Sequence, residues 1–359
     1  MATAGSDSKA AWYGEELTPS GAWIRSFAPA HLQEIDAALA GVRDAPLFGF
    51  TRTDFPLPRT TALLADIQHE LEDGHGMVRI RGLDAARYTD DELRHIFWGL
   101  GTHLGTAVYQ NARAEIMGEV RDETRLPEPG FVQGQLGSVV SSRARARSTG
   151  PLRWHTDRCD LIALLCARNA ATGGVSKLAS IVTIYQEIAR RRPDLLAVLC
   201  QDYWRARPAD EDGHVVTRAF AMPVLALRDG RITSQYSRTY VEQAQEYAEV
   251  PRMTDAQVEA LDLLAAVAEE TCLLAPFEAG DIQLLNNHVI YYGRIYYGRT
   301  AYEDDAAFSR LLLRLWLSVP NSRRLPDGFE VLWGDTAPGA LRGGVVQPAS
   351  GARVPGFAG

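Results

Sequence analysis

The sequence predicts a mainly β fold with amphipathic helices packed outside it. Three observations lead there. Apolar runs of strand length, GMVRIRGL (76–83), LIALLCARNA (161–170) and SRLLLRLWLSV (309–319), carry or border the residues with chemical potential. Two segments with helical spacing, 88–101 and 253–273, each open on a capping box. No GxGxxG follows a strand, and neither GxxxxGK[ST] nor GxSxG is present, so nothing supports the nucleotide-binding or hydrolase α/β classes.

The elements follow in order. Residues 1–20 are small and polar and are expected to form a flexible N-terminus ahead of one domain over 21–359. GMVRIRGL is a strand ending in a glycine turn. In YTDDELRHIFWGLG, Thr89 and Glu92 are spaced to satisfy each other's free backbone N–H groups, and Gly99 and Gly101 are expected to end the helix. Residues 122–150, rich in Gly, Pro, Ser and Arg, read as a long loop. LIALLCARNA is a strand closed by TGG (172–174), and KLASIVTI (177–184) is a strand or a strand-to-helix passage. YQEIARRRPDLLAVL is helical and broken at Pro193. In 253–273, Thr254 and Gln257 form the cap, and Val258, Leu261, Leu264 and Val267 give a 3.6-residue stripe. FEAGDIQLLNN supplies a turn and a strand. SRLLLRLWLSV is a terminal strand with two arginines, and the Pro- and Gly-rich tail beyond Pro320 is expected to wrap the surface.

Composition excludes several partners. Of 359 residues, 46% are hydrophobic and 23% charged, which is globular, and the net charge of −8 argues against nucleic acid. The basic run SSRARARS (141–148) is short and has no interleaved aromatics, so it reads as loop. No run approaches the ~18 apolar residues a membrane span needs. Cys159, Cys166, Cys200 and Cys272 form no CxxC pair, which favours reduced thiols in a cytoplasm over a disulfide framework. The first residues have no apolar core of signal-peptide length. Self-association into a homo-oligomer is left open.

The sharpest local signal is RWHTDRCD (153–160). His155 and Asp157 stand at i and i+2, on one face of a strand. Such a pair is commonly surface decoration. With a distant second histidine, however, it makes the two-histidine, one-carboxylate facial set of a non-haem iron site.

WHTD, ALLCARNAATGGVSK (163–177), GDIQLLNNHV (280–289), GRTAYEDD (298–305) and RLLLRLWLS (310–318) occur in that order, after GMVRIRGL and YTDDELRHIFWGLGTHLGTAVYQN. Together they resemble the taurine-dioxygenase-like (TauD/TfdA) family of Fe(II)- and 2-oxoglutarate-dependent oxygenases, over roughly residues 75–345. The resemblance implies a double-stranded β-helix, a cupin-like jelly roll with helices outside. It implies His155 and Asp157 as metal ligands, Ser176 as a hydroxyl touching 2-oxoglutarate, and Arg310 as the partner of that cosubstrate's distal carboxylate. A planar guanidinium grips a carboxylate through two parallel hydrogen bonds. Arg314, four residues on, faces the same way and is open to the cosubstrate or to an anionic substrate group. Gln110 and Asn111 fall in the segment the family places near substrate. His103 reads as structural. The implied reaction is oxidation of a small molecule with O2, coupled to decarboxylation of 2-oxoglutarate.

One departure stands out. The family's distal histidine is expected about five residues after Asn287, yet IYYGR occurs twice in tandem, at 290–294 and 295–299. Aligned from the left the ligand position is Tyr292, and from the right Tyr297. Three readings stay open. His288 substitutes, being an even number of residues before Tyr292. Alternatively Tyr292 or Tyr297 ligates as a phenolate, which prefers Fe(III). Thirdly, His155 and Asp157 hold metal alone, weakly or not at all. Two rivals to ordinary turnover follow: a degenerate relative that binds a small molecule without turnover, and an atypical metalloenzyme with a tyrosine ligand, using iron or copper.

Overall fold

Two β-sheets face each other across the middle of the molecule, and the chain crosses from one to the other repeatedly. A computed structural model of the chain describes residues 9–121, 135–136, 139–140, 152–169, 174–207, 218–294, 310–347 and 350–355. Its strands are β1 (Ile24–Ser26), β2 (Met77–Arg81), β3 (Thr106–Ala107), β4 (Met117–Val120), β5 (Gln135–Leu136), β6 (Val139–Val140), β7 (Leu152–His155), β8 (Leu161–Arg168) and β9 (Ser176–Ser180). They continue as β10 (Asp202–Ala206), β11 (Ala219–Pro223), β12 (Leu225–Arg228), β13 (Arg231–Ser234), β14 (Leu273–Ala275), β15 (Ile282–Asn286), β16 (Ile290–Arg294) and β17 (Leu311–Ser318). The larger sheet runs β1-β2-β15-β8-β17-β3, with β4 also on β17; the smaller runs β14-β9-β16-β7. Strands β7, β9, β14 and β16 therefore lie in the small sheet, and β8, β15 and β17 in the large one. This alternate winding is the double-stranded β-helix, in agreement with the expected fold class.

Side-chain alternation divides each strand into two faces. On β17, Leu311, Leu313, Leu315 and Leu317 pack outward with Ile96, Phe97 and Leu100 of the Asp90–Leu104 helix. Trp316 turns inward, where it meets Met77, Ile162, Leu178, Leu285 and Tyr292 from both sheets. Burying each leucine is worth roughly 1.5–3 kcal/mol before chain entropy is counted. On the small sheet, Trp154, Ala179 and Tyr291 face outward onto Leu261, Leu264 and Val267 of the Asp255–Thr271 helix.

Both expected capping boxes form, at Thr89/Glu92 and Thr254/Gln257. KLASIVTI divides at Ser180, where β9 passes into the Ile181–Arg191 helix, and Pro193 opens a second helix to Leu199. The loop 122–150 and the basic run 141–148 fall largely or wholly outside the described residues. Among the described residues, no helix is long and apolar enough to cross a membrane.

Three expectations need correction. Gly99 and Gly101 do not end the first capped helix, which continues to Leu104. They sit where it is pressed closest: a Cβ at 99 would lie 2.6 Å from the Phe55 ring, and one at 101 would lie 2.8 Å from Leu315. The N-terminal stretch is ordered from residue 9, because Trp12 is buried and its indole donates to the His75 carbonyl at 2.9 Å. The helix Gly14–Ser20 follows it. The tail is not a surface wrap: Leu325, Phe329, Leu332 and Trp333 form a buried cluster with Phe220 and Met222.

Arg342 pins that tail to the barrel. Fully buried, it donates through Nε to Asp160 Oδ1 at 2.8 Å, and through its remaining nitrogens to the Ala337 and Arg323 carbonyls. Asp160 also accepts from His288 Nε2 at 2.8 Å, and from the Val319 amide and Ser318 hydroxyl. Removing one partner of such a buried pair strands a charge, at a cost of roughly 3–5 kcal/mol.

Burial, reinforced by the Arg342 and Arg323 charges, holds His288 down at about 4 against an ordinary 6.5, with Asp160 opposing. The unfolded chain therefore takes up this proton first. The resulting stability is complete above pH ~6.5 and is lost as pH falls toward ~4. Between pH 7 and 4.5 the loss from this group should be roughly 2–3 kcal/mol. Urea melts of His288→Gln should show a correspondingly smaller drop over that range than the parent chain; an equal drop would contradict the assignment.

Candidate metal centre

The turn from β7 to β8 and the start of β16 build the centre. His155 ends β7 and points inward, while its neighbour Trp154 points outward. Its Cα partner across the pair is Tyr292 on β16, and the two rings lie 4.3 Å apart at 55°. His155 Nδ1 donates to the Arg153 carbonyl at 2.9 Å, which fixes the tautomer. Burial pushes the imidazole's pKa down, with Asp157 opposing, so it is neutral at pH 7.

Asp157 follows on the same turn and is held twice. Its amide donates to Asn287 Oδ1 at 3.1 Å, and its Oδ2 accepts the Trp316 indole N–H at 2.9 Å. Asn287 also donates to Cys159 Sγ at 2.9 Å, closing the turn. Arg314 NH1 stands 3.7 Å from the same Oδ2.

Tyr292 completes the group. Its hydroxyl is buried with no hydrogen-bond partner, and burial together with the nearby Asp157 and Cys159 pushes its pKa well above 10. It is therefore a neutral phenol facing an imidazole nitrogen and a carboxylate. Tyr291 turns the other way, where its hydroxyl shares a 2.5 Å hydrogen bond with Ser234. Tyr297 lies outside the described residues.

His288 is not brought to this group. Residues 287–289 form a turn between β15 and β16, so even spacing from Tyr292 does not carry a common face across it. Its ring lies against Trp333 at 4.7 Å and its Nε2 serves Asp160.

At the other end of the barrel, Arg310 is buried and donates to the Gly174 carbonyl at 3.3 Å, two residues ahead of Ser176. Ser176 Oγ accepts from Gln283 Nε2 at 3.4 Å, and Gln283 Oε1 accepts from Arg79 at 2.6 Å. Arg79 lies between the rings of Trp23 and Phe277, at 5.0 and 4.5 Å, and pairs with Asp281 at 3.1 Å. Sequence reasoning missed Gln283 and Arg79. The available signal was a polar residue on the inward parity of an apolar strand.

Gln110 does not face the pair His155 and Asp157. It clamps Arg314, accepting from its Nε at 2.8 Å and donating to its carbonyl at 2.9 Å, with a further bond to the Ile116 carbonyl at 2.8 Å. Asn111 closes its own loop: its side chain bonds Glu115 and the Arg113 amide, and its carbonyl accepts from Gln347. His103 Nε2 donates to the Phe55 carbonyl at 2.8 Å, as a structural residue.

The family described as "Taurine catabolism dioxygenase TauD, TfdA family" matches residues 42–316, a span that holds His155, Asp157, Ser176, Tyr292, Arg310 and Arg314. The chain belongs to the TauD/TfdA family. Its members are Fe(II)- and 2-oxoglutarate-dependent oxygenases, and this TauD/TfdA chain is an oxidoreductase of that class acting on a small molecule. It is 27% identical over 343 residues to FR-33289 synthase of Streptomyces rubellomurinus, covering 91% of this chain and 94% of that one. It is 28% identical over 328 residues to taurine hydroxylase-like protein SAT17 of Stachybotrys chartarum, covering 89% and 81%. Among solved structures, an asparagine oxygenase with Fe(II), 3-hydroxyasparagine and succinate superposes with TM-score 0.61 at 14% identity, covering 82% and 93% of the two chains. The non-haem iron oxygenase OrfP with iron and alpha-ketoglutaric acid gives 0.56 at 17%, covering 82% and 93%.

The residues present fit a metal. His155 offers a neutral imidazole, Asp157 a carboxylate on the same turn, and the Tyr292 hydroxyl is a buried oxygen close to Asp157 with no hydrogen-bond partner.

The Arg314 clamp also depends on Gly118, directly opposite on β4, where a Cβ would lie 2.8 Å from Gln110 Oε1. Gln110 cannot yield without giving up its bonds, so Gly118→Ala should cost about 1–3 kcal/mol in a urea melt. An unchanged midpoint would show that the approach is not tight.

Proposed function

We propose that His155, Asp157 and Tyr292 together hold the iron, and that Ser176 and Arg310 receive the distal carboxylate of 2-oxoglutarate. Arg314 engages an anionic group on the small substrate, one of whose C–H bonds is oxidised. The observation that carries this reading is the register of β7 and β16, which sets Tyr292 opposite His155 with its hydroxyl buried and unpartnered. Bound iron and 2-oxoglutarate supply the activation of O2 and the oxidising equivalents.

The protein's own contributions are positional. His155 offers a neutral nitrogen whose orientation the Arg153 carbonyl fixes. Leu178, Leu285, Ile162 and Met77 keep the interior dry, which strengthens the charge pairing at Arg310. Arg314 is locked by Gln110 but is 24% exposed, so part of its fork is accessible from solvent. The asparagine and arginine products and substrates held by the structural neighbours bear carboxylates, which supports an anionic group on the substrate. The free thiols of all four cysteines suit a cytoplasmic setting.

The phenol also favours a second reading. A hard anionic oxygen in place of an imidazole raises the negative charge at the metal and favours its ferric state. Iron would then be held with little turnover. Metal analysis and 2-oxoglutarate consumption separate the cases. The unaltered chain should retain iron and consume 2-oxoglutarate, Tyr292→His should retain iron more tightly, and His155→Ala should lose it. Iron retained without consumption would favour the second reading. Iron content unchanged in His155→Ala would overturn both.

Arg310 provides a separate check. Removing the buried cation from its carboxylate partner costs about 2–5 kcal/mol. Arg310→Ala should therefore raise the KM for 2-oxoglutarate about 30-fold or more in a steady-state assay, and a shift under fivefold would remove Arg310 from the cosubstrate site.

A further inference from the structure

The carboxylate of Asp157 is held unevenly. Trp316 faces inward from β17 on the same parity as Arg314, is 8% exposed, and gives its Nε1–H to Oδ2 at 2.9 Å. Arg314 NH1 approaches that same oxygen at 3.7 Å, and its guanidinium lies over the indole at 5.3 Å. Oδ1 accepts no hydrogen bond among the described residues. The backbone of Asp157 is anchored as well, because its amide donates to Asn287 Oδ1 at 3.1 Å. An indole is a donor only, with no acceptor and no titration near neutral pH, so the side it marks is fixed.

We propose that Trp316 is a positioning residue for the metal centre: it commits Asp157 Oδ2 to a hydrogen bond, so that the carboxylate offers the metal Oδ1 alone. A carboxylate free to clamp through both oxygens would take an additional coordination position, one that cosubstrate, oxygen or substrate needs. The inference rests on the reading of Asp157 as a ligand and adds a residue that the sequence motifs do not mark. Outer partners of this kind typically govern metal affinity by 10–100-fold.

The test uses the full chain with Co(II) alone as probe. Trp316→Phe keeps an aromatic ring and removes the donor. Trp98→Phe is the control, since Trp98 is equally buried and donates to the Phe50 carbonyl at 3.0 Å, away from the centre. Trp316→Phe should bind Co(II) about 10-fold more weakly and shift the visible d–d absorption, which reports coordination number; Trp98→Phe should match the unaltered chain in both. Equal affinity and an unchanged spectrum in Trp316→Phe would overturn the inference and leave the proposed function standing. Equal weakening in both variants would assign the effect to packing and overturn it too. Failure of the unaltered chain to bind Co(II) would overturn both this inference and the ligand reading it rests on. Should Trp316→Phe not fold, indole 15N–1H spectra of the unaltered chain decide. An indole resonance should move on Zn(II) addition, and none should in Asp157→Asn; no movement in the unaltered chain would overturn the inference.

Discussion

The pairing register between β7 and β16 is the constraint on which the centre depends. Strand side chains alternate with a period of two, so a slip of one residue would exchange every inward and outward group. In the observed register, Trp154 and Tyr291 go to the helix-covered face, while His155 and Tyr292 go to the interior. The large apolar groups beside the helix enforce that choice. Trp154 and Tyr291 would have to leave a packed cluster for the pair to turn over. The chemistry of the site is thus secured by hydrophobic burial on the opposite side of the same strands.

A second, buried polar network holds the turn that follows. Asp160 gathers His288, Arg342, Ser318 and the Val319 amide, and Asn287 links that turn to Asp157 through its backbone amide. The C-terminal tail is therefore part of the scaffold under the metal centre. Its Arg342 neutralises a carboxylate three residues from Asp157, and its Trp333 packs against the histidine that serves the same carboxylate.

Much of this was legible in the residues themselves. Strand-length apolar runs and capping boxes located the elements, the HxD pair supplied the proposed donors His155 and Asp157, and the resemblance of ordered motifs to one family supplied the winding and the proposals for Arg310 and Ser176. The errors have physical sources. Even spacing put His288 on the face of Tyr292, but the rule fails across a turn, and Asn286 to Val289 turn. Gly99 and Gly101 looked like helix stops, whereas tertiary contact with Phe55 and Leu315 was what required their size. The low hydrophobicity of the tail and N-terminus hid single large anchors, Trp12 and Trp333, whose burial outweighs the polarity around them. The duplication made Tyr292 and Tyr297 equally plausible by spacing; strand pairing sets Tyr292 opposite His155, and Tyr297 lies outside the described residues. Gln110 was placed near substrate by resemblance; spacing gave no sign that it also holds Arg314 through side chain and carbonyl, which requires knowing that β4 lies beside β17.

In the proposed centre, a tyrosine where the family carries a histidine changes the charge and hardness of the donor set without emptying it. The most direct measurement is the visible spectrum of the chain loaded with iron and oxidised to Fe(III). A phenolate ligand gives an intense charge-transfer band. The account predicts that band in the unaltered chain and in Tyr291→Phe, and its loss in Tyr292→Phe. A band that survives Tyr292→Phe, or none at all in a chain that holds stoichiometric iron, would contradict it.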